Sequence, residues 1–401
     1  MSKSGNHKPE LWFIVRPSVA NLELNQSQTA LRILITNAYL EKYGGVEVVV
    51  RDLAAEFQRQ GHEPMVYSPH LGDVAEEIRN LGVEIADDLH NFNSVPDVIH
   101  GHQFPELLQA VLHFSSTPAV YVCHTAMSGV DEPFVFPRIL RYVAVDRRCK
   151  KRLEQTPGID AARIEQIENA VDLTRYRLRE PLPEKPSRAL IFSNYATSST
   201  HLLAIREACR RKKIELDVVG IGAGTATKNP ELILPRYHLV FAKARCAMEA
   251  IATGCAVILC DFAGSGPMVS TQNFDALRRM NFGQGVLTNP LRPEYLEKEM
   301  DHYDFSDAAQ VSARIREEAD LVVAAQRWLQ LYATVIKEFD GSPRDFSAEM
   351  QAIESYLHLR SYESRVEWEK QQIRKLQKIP AIGNAVFSLT RKALQYWTAK
   401  S

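Results

Sequence analysis

A carboxylate in the second half of the chain lies where a ligand site is expected. Glu249 follows an apolar run, residues 238–242, that is typical of a buried parallel strand, and a short basic loop, residues 243–246. Open α/β sheets bind their ligands beyond the carboxyl ends of the strands. There a carboxylate can accept two hydrogen bonds from vicinal hydroxyls such as those of a ribose, and Lys243 and Arg245 can hold a phosphate. The alternative is that Glu249 only complements a helix N-terminus.

Two groups of residues in the first half of the chain occupy similar positions. Gly44 and Gly45 lie where the first strand meets the first helix, and paired glycines there let a phosphate or a sugar approach the backbone near the positive end of a helix dipole. His124 follows an apolar run, residues 119–123, and its imidazole could hydrogen-bond a sugar hydroxyl or a phosphate oxygen. A tight turn between strand and helix explains the glycine pair equally well.

The motifs of several other chemistries are absent from the sequence. His100 and His102 have a spacing that could bind a metal, but no nearby carboxylate or third histidine completes a set, so we interpret them as cleft-lining or structural. No Asp-x-Asp pair, GxGxxG fingerprint, Walker lysine or GxSxG elbow occurs. These absences argue against a metal-bridged diphosphate, a dinucleotide-dependent dehydrogenase, a P-loop enzyme and a serine hydrolase.

Composition restricts the class of protein further. The 48 Lys and Arg residues nearly balance the 49 Asp and Glu residues, so the chain as a whole has no charge that would attract nucleic acid. The six cysteines contain no CxxC pair, which indicates reduced core residues rather than a disulfide set or a zinc site. No run of eighteen apolar residues and no signal peptide pattern occurs, so we expect a cytoplasmic protein.

Strand-like and helix-like segments alternate in two series, which predicts an α/β fold with two Rossmann-like domains facing a cleft. The first series begins at Leu31, and a proline-rich stretch, residues 181–186, separates it from the second. The predicted organisation is an N-terminal extension at residues 1–30, Rossmann-like domains at 31–180 and 181–325, a closing helix at 326–343 and a helical tail at 344–401.

The tail is basic, since the segment from Arg360 to the end of the chain contains nine Lys or Arg residues and three Asp or Glu residues. Apolar side chains are interspersed among these charges. This pattern is typical of an amphipathic helix that contacts anionic lipid peripherally through residues 360–401. It is also typical of a helix packed on the protein's own surface, which is the interpretation we favour.

Six segments, taken in order, resemble the GT-B fold glycosyltransferases of family 4. The resemblance runs from Leu31 to Phe339, and no single segment is specific by itself. The segments are the glycine loop with the Gly-His-Glu turn (residues 44–47 and 61–63), an HxH strand (96–102), a histidine strand end (123–125), an Asn-Ala-Val-Asp motif (169–172), a Val-Gly-x-Gly strand end (219–222) and the signature around the carboxylate (247–250 and 254–257).

The resemblance implies a glycosyltransferase that moves a sugar from a nucleotide-sugar donor to a glycan, lipid-linked or other acceptor. The donor would be held mainly by the C-terminal domain and the acceptor mainly by the N-terminal domain. The family is mostly retaining, and the nucleotide-sugar is a substrate, so we expect a retaining reaction that needs neither metal nor cofactor. Membership of this group would place the protein in cell-surface polysaccharide biosynthesis.

Residue by residue, the resemblance implies that Glu249 binds the donor ribose and that Gly45 approaches the diphosphate. His124 would contact the donor sugar or its phosphate as the catalytic residue. Three further donor-binding residues are implied nearby, at Gly44, Asn194 and Gly222.

The sequence departs from the family at two places. Phe241 stands where the family has a second glutamate, and residues 193–199 contain none of the cations that neutralise the donor diphosphate. Lys243 and Arg245 are the candidate substitutes, and losing two cations without replacement would cost several kcal/mol of leaving-group stabilisation. Two hypotheses follow: an active glycosyltransferase with a rearranged phosphate site, or a catalytically degenerate GT-B-shaped binding or scaffolding protein.

Overall fold

The N-terminal half of the molecule is built on a seven-stranded sheet. The computed structural model describes residues 30–127 and 131–377. The strands of this half are β1 (Arg32–Thr36), β2 (Tyr39–Leu40), β3 (Glu63–Tyr67), β4 (His70–Leu71), β5 (Glu84–Ala86), β6 (Val98–Gly101), β7 (Ala119–Cys123), β8 (Ile139–Ala144) and β9 (Ile164–Gln166). The large sheet has the order β5-β3-β1-β6-β7-β8-β9 with all neighbours parallel, and β2 pairs with β4.

Helices join the parallel strands, as such crossovers require. They are α1 (Gly45–Arg59), α2 (Asp73–Asn80), α3 (Phe104–His113) and α4 (Arg147–Glu154). Helix α1 forms because apolar residues recur at helical spacing and bury one face against the sheet. Gly44, in an extended conformation, immediately precedes it. The amino end of α1 therefore lies beyond the carboxyl end of β1, where ligands of such sheets bind.

The C-terminal half repeats the plan with a smaller sheet. Its strands are β10 (Arg188–Phe192), β11 (Glu215–Val219), β12 (Leu239–Ala242), β13 (Ala256–Asp261) and β14 (Gly264–Met268), in the order β11-β10-β12-β13-β14. Only β14 is antiparallel within this sheet. Its helices are α5 (Leu202–Lys212), α6 (Ala244–Thr253), α7 (Phe274–Arg279), α8 (Pro293–Met300) and α9 (Phe305–Glu318).

The last two helices return to the N-terminal half. Helix α10 (Leu321–Asp340) buries Trp328 and Tyr332 in the N-terminal core. Helix α11 (Phe346–Gln377) follows, and Glu349 near its start forms a buried bidentate ion pair with Arg138, at 2.7 and 3.1 Å. Tyr356, about two helical turns further along the same face of α11, packs on Phe104 with ring centroids 5.2 Å apart. Both contacts precede Arg360, so the interpretation that the basic segment packs on the protein's own surface stays a prediction.

The predicted fold class is confirmed: two Rossmann-like sheets face each other, with a helical tail at the C-terminus. The two predicted series of alternating strands and helices are present, one in each half. The sequence missed β14, because glycine, serine and proline are poor strand formers and are tolerated mainly at a sheet edge.

Some predictions concern residues beyond those that the structure describes. The N-terminal extension lies outside them apart from its last residue, and the basic tail lies outside them from residue 378 onward. Within the described ranges, none of the helices combines the length and the apolar character needed to cross a membrane.

Candidate functional site

A cavity of about 550 Å³ lies between the two halves. Small-molecule sites typically have volumes of about 300–1,000 Å³. Both sheets contribute to its wall, and six of the eight site residues predicted from the sequence line it: Gly44, Gly45, His124, Asn194, Lys243 and Arg245. Residues as far apart along the chain as Gly44 and Arg245 are thus brought to one place by the carboxyl edges of two different sheets.

A second cavity of about 100 Å³ adjoins the first, since both are lined by Gly44, Gly45, Asn194 and Arg245. Glu249 lies in the wall of this smaller cavity. It is joined there by the side chains of Tyr43, Arg51, Arg175 and Tyr176. The carboxylate predicted to bind a ribose therefore faces a narrower compartment than His124 does.

Helix α6 carries the charged residues of the C-terminal wall. Residues 243–246 were predicted as a loop, and this is wrong, because α6 begins at Ala244 with Lys243 as its N-cap. The sequence from Ala244 to Ala250 consists of good helix formers, and nothing in it ends the helix early. Glu249 is consequently in the middle of the helix and only 4% exposed.

Left-handed backbone conformations surround the first residue of α6. Ala244, Asn281 and Phe282 have φ angles of 49°, 53° and 50°, and the amide of Ala244 donates a hydrogen bond of 2.7 Å to the carbonyl oxygen of Phe282. A left-handed residue other than glycine costs on the order of 1 kcal/mol, and such strain concentrates at binding and catalytic sites. Ala244 and Asn281 both line the larger cavity.

Arg245 is the centre of a buried ionic cluster. Its Nε donates to Glu249 Oε1 at 2.7 Å, and its Nη2 forms an ion pair with Asp52 of α1, in the other half of the molecule. Asp52 also accepts hydrogen bonds of 2.9 and 2.6 Å from Arg51, which in turn pairs with Glu77 at 2.9 Å. The predicted phosphate ligand Arg245 is therefore already matched by two carboxylates.

The two carboxylates that flank Arg245 respond differently to burial. Burial raises the pKa of Asp52, but the guanidiniums of Arg245 and Arg51 together outweigh it, so the pKa lies below its ordinary value. Burial raises the pKa of Glu249 above its ordinary value, because Arg245 offsets only part of that effect. The same burial thus moves the pKa values of the two carboxylates in opposite directions, because Asp52 faces two guanidiniums.

Lys243 is also matched by a carboxylate. Its ammonium forms an ion pair with the fully buried Asp261 and lies 5.3 and 5.2 Å from the ring centroids of Tyr195 and Phe262. The aromatic faces add a favourable cation–π interaction. Both cations suggested by the sequence therefore line the cavity with their charges already compensated by the protein.

Three histidines form a row behind the cavity wall. His102 Nδ1 lies 2.7 Å from His124 Nε2, and His100 Nδ1 lies 2.5 Å from the hydroxyl of Tyr332. Burial lowers the pKa of His124 to about 4. Burial, reinforced by the charge of His124, lowers that of His100 to about 3. The fold thus brings a third histidine, His124, to the pair seen in the sequence, but among the described residues no group of side chains has an arrangement that could hold a metal ion.

Asn194 and Gly222 have different roles in the geometry. Asn194 Nδ2 donates to the carbonyl oxygen of Tyr43 at 2.8 Å and so connects the two halves at the cavity. Gly222 lines neither cavity; its amide donates to the carbonyl oxygen of Asn194 at 2.9 Å. Gly220 lines the smaller cavity instead, and a Cβ there would lie 1.9 Å from the carbonyl oxygen of Ser193.

Sequence reasoning missed several charged residues of the site. Arg148, in the first turn of α4, is exposed and lines the larger cavity, and no ion-pair partner is found for it among the described residues. The rule that selected His124 would have found it, since Arg148 also follows the carboxyl end of a strand. Arg51 and Asp52 lie between Val50 and Leu53 on the buried face of α1. Two charged residues within an otherwise apolar face could have indicated from the sequence that they belong to a site.

Residues 85–175 match the model of Glycosyltransferase Family 4. No curated protein sequence matches the chain. Among solved structures, a glycosyltransferase from Rickettsia africae ESF-5 superposes with a TM-score of 0.57 at 14% identity, covering 77% of this chain and 100% of that one.

Two other similar structures have lower scores. A lipopolysaccharide outer core galactosyltransferase, WaaB, has a TM-score of 0.42 at 11% identity, covering 72% of this chain and 99% of its own. A UDP-N-acetylglucosamine 2-epimerase has a TM-score of 0.46 at 11% identity, covering 79% and 100%. The fold assignment therefore depends on the Rickettsia structure and on the sheet topology. The chain therefore has the GT-B fold, and its residues 85–175 are similar to Glycosyltransferase Family 4.

Proposed function

We propose that the protein transfers a sugar from a nucleotide-sugar to a hydroxyl of a glycan, lipid-linked or other acceptor. The reaction proposed is retaining and uses neither metal nor cofactor. One observation carries the proposal: Gly45, His124 and Glu249, from both halves, line two adjoining cavities of about 550 and 100 Å³. The acceptor would enter the larger cavity from the N-terminal side.

The donor is proposed to span both cavities. Its ribose would be bound by Glu249 in the smaller one, and its sugar would lie near His124 in the larger one. The diphosphate would lie between them, at the amino end of α1, where unpaired backbone amides and the helix dipole attract anions. No atom lies within 4 Å of a Cβ built on Gly45, so packing does not require a glycine there. The space in front of this residue is what a phosphate would use.

Lys243 and Arg245 are compensated by Asp261, Asp52 and Glu249, so a further cation is needed to attract the donor phosphates. Arg148 brings to the larger cavity a positive charge for which no ion-pair partner is found in the described part of the chain. We therefore add it to the proposed ligands of the donor phosphates or of an anionic acceptor. Preorganised cations at the departing phosphate stabilise the charge that develops in the transition state.

The alternative is a GT-B-shaped binding or scaffolding protein without turnover. Two observations favour it. Phe241, which replaces the family's second glutamate, is fully buried in β12 and cannot face a ligand. The two candidate diphosphate cations are held by buried carboxylates.

Calorimetric titration with nucleoside diphosphates and nucleotide-sugars, without added metal, tests the proposal. We expect one nucleotide to bind and Gly45→Ala to weaken it, because the added methyl group occupies the phosphate approach. Gly341→Ala is the matched control, since it lies at the end of α10, and the nearest atom to its Cβ would be 3.7 Å away. Failure of the folded protein to bind any nucleotide would favour the scaffolding alternative.

We further propose that the protein works in the cytoplasm, in cell-surface polysaccharide biosynthesis, with peripheral membrane contact through residues 360–401. The basic composition of this segment supports the proposal. Sedimentation with vesicles of anionic and of neutral lipid would test it. Equal binding to both kinds of vesicle, or to neither, would contradict an electrostatic contact.

A further inference from the structure

His102 and His124 share one hydrogen bond, and the position of its proton determines what His124 can do in the cavity. Each residue follows the carboxyl end of a strand, and the two strands, β6 and β7, are neighbours in the sheet. The ring centroids are 4.8 Å apart, and His102 Nδ1 is 2.7 Å from His124 Nε2. Since burial lowers the pKa of both imidazoles, both are neutral near pH 7, and each ring carries one proton.

The second nitrogen of His102 indicates which tautomer is present. His102 Nε2 is buried and has no hydrogen-bond partner among the described residues. If His102 Nδ1 accepted the shared bond, the proton of that ring would be on Nε2, as a buried donor without an acceptor. If His102 Nδ1 donates, Nε2 carries only a lone pair. Buried N–H groups without a partner are rarer than buried acceptors without one, so the second arrangement is favoured.

The consequence for His124 follows from proton counting. Its Nε2 accepts the bond from His102, so its own proton must be on Nδ1. Within the described residues no hydrogen bond is found for His124 Nδ1, and His124 lines the larger cavity. Nδ1–H is therefore the ring group left to meet a ligand.

We infer that His102 is a positioning residue that fixes His124 as the Nδ1–H tautomer, so that His124 donates a hydrogen bond to an oxygen of the bound ligand and does not act as a base. The ligand in this inference is the sugar or phosphate of the donor, and to that extent it rests on the proposed function. The row extends inward to His100, whose ring centroid is 4.6 Å from that of His102.

Nitrogen-15 NMR of the full-length, histidine-labelled protein tests the tautomer without any need for turnover. Protonated and unprotonated imidazole nitrogens resonate far apart, and His124→Asn identifies the signals of His124. We expect a protonated Nδ1 and an unprotonated Nε2 for His124. A protonated Nε2 on His124 would overturn the inference, whether or not the protein is a glycosyltransferase.

A matched pair of variants tests the role in function. The amide nitrogen of His102→Asn can take the place of the Nδ1 donor, whereas His102→Leu removes it. With the rate of donor hydrolysis as the readout, we expect His102→Leu to lower kcat about 10- to 100-fold, as for other partners that orient a functional histidine, and His102→Asn to restore most of it. Equal losses in both variants would overturn the positioning role. Absence of nucleotide binding in the unmodified protein would instead refute the proposed function, and the NMR result would still decide the tautomer.

Discussion

Replacing Asp52 by asparagine should lower the stability of the protein but raise the affinity of the site for anions. Asp52 is 5% exposed and belongs to α1, whereas its partner Arg245 belongs to α6. The substitution keeps the size of the side chain and removes its charge. The pKa of Asp52 lies below its ordinary value, so the charge is present at neutral pH.

The expected loss can be worked from the contacts. Asp52 accepts bonds of 2.9 and 2.6 Å from Arg51 and forms an ion pair with Arg245. Without its charge, Arg51 still has Glu77 and Arg245 still has Glu249 as ion-pair partners among the described residues. Breaking a buried ion pair from one side costs about 3–5 kcal/mol when a charge is left uncompensated. Because each arginine keeps one carboxylate here, we expect a loss near or below the lower end of that range in the free energy of unfolding, measured with urea.

Glu207→Gln is the matched control. Glu207 also accepts hydrogen bonds from two arginines, Arg210 and Arg211, each at 2.8 Å, but on the surface. Solvent screens such pairs, so its loss should be much smaller. Hydrogen exchange should increase at α1 and α6 in Asp52→Asn alone. Equal destabilisation by the two substitutions would refute the view that burial of this cluster holds the halves together.

The same substitution should act on binding in the opposite direction. Arg245 loses one of its two carboxylates in Asp52→Asn, so its positive charge becomes more available to a ligand. We expect the affinity for a nucleoside diphosphate to rise while stability falls. A parallel decrease of both quantities would show that Asp52 itself is needed to position the site.

Three further predictions concern other parts of the site. Folding lowers the pKa values of His100 and His124 from 6.5 to about 3 and about 4, so below pH 6.5 the unfolded chain binds protons that the folded protein does not. As the pH falls from 6.5 to its folded pKa, each residue should therefore lower stability by about 1.4 kcal/mol per pH unit. Urea unfolding at pH 7.5 and 5 should show a smaller pH dependence in the His100→Asn, His124→Asn double variant. Gly220→Ala should destabilise the protein and weaken nucleotide binding, since its Cβ would lie 1.9 Å from the backbone oxygen of Ser193; a melting temperature and an affinity equal to those of the unmodified protein would contradict this. Arg148→Gln should lower the affinity for an anionic ligand by about tenfold, which is the equivalent of one charge-assisted hydrogen bond, and should leave the melting temperature unchanged. If the affinity measured by calorimetry does not change, Arg148 is not part of the site.

Local patterns in the sequence are sufficient for most of the fold. The apolar runs that form β1, β7 and β13 are short, rich in branched residues and bounded by loops, so their state follows from composition alone. Strand β5 contains too few residues for such a pattern, and β14 lacks the branched residues that favour a strand, so both form because a longer neighbour supplies the hydrogen bonds.

The sequence by itself determined that Gly44, Gly45 and His124 lie at the end of a strand or the start of a helix, because these positions depend on neighbours along the chain. Only the tertiary structure decided what each of them meets. That Arg245 is matched by Asp52, 193 residues away, follows from the way folding brings these two side chains of α6 and α1 together. The charge available to a ligand is the sum over groups that folding brings together, and no local pattern contains that sum.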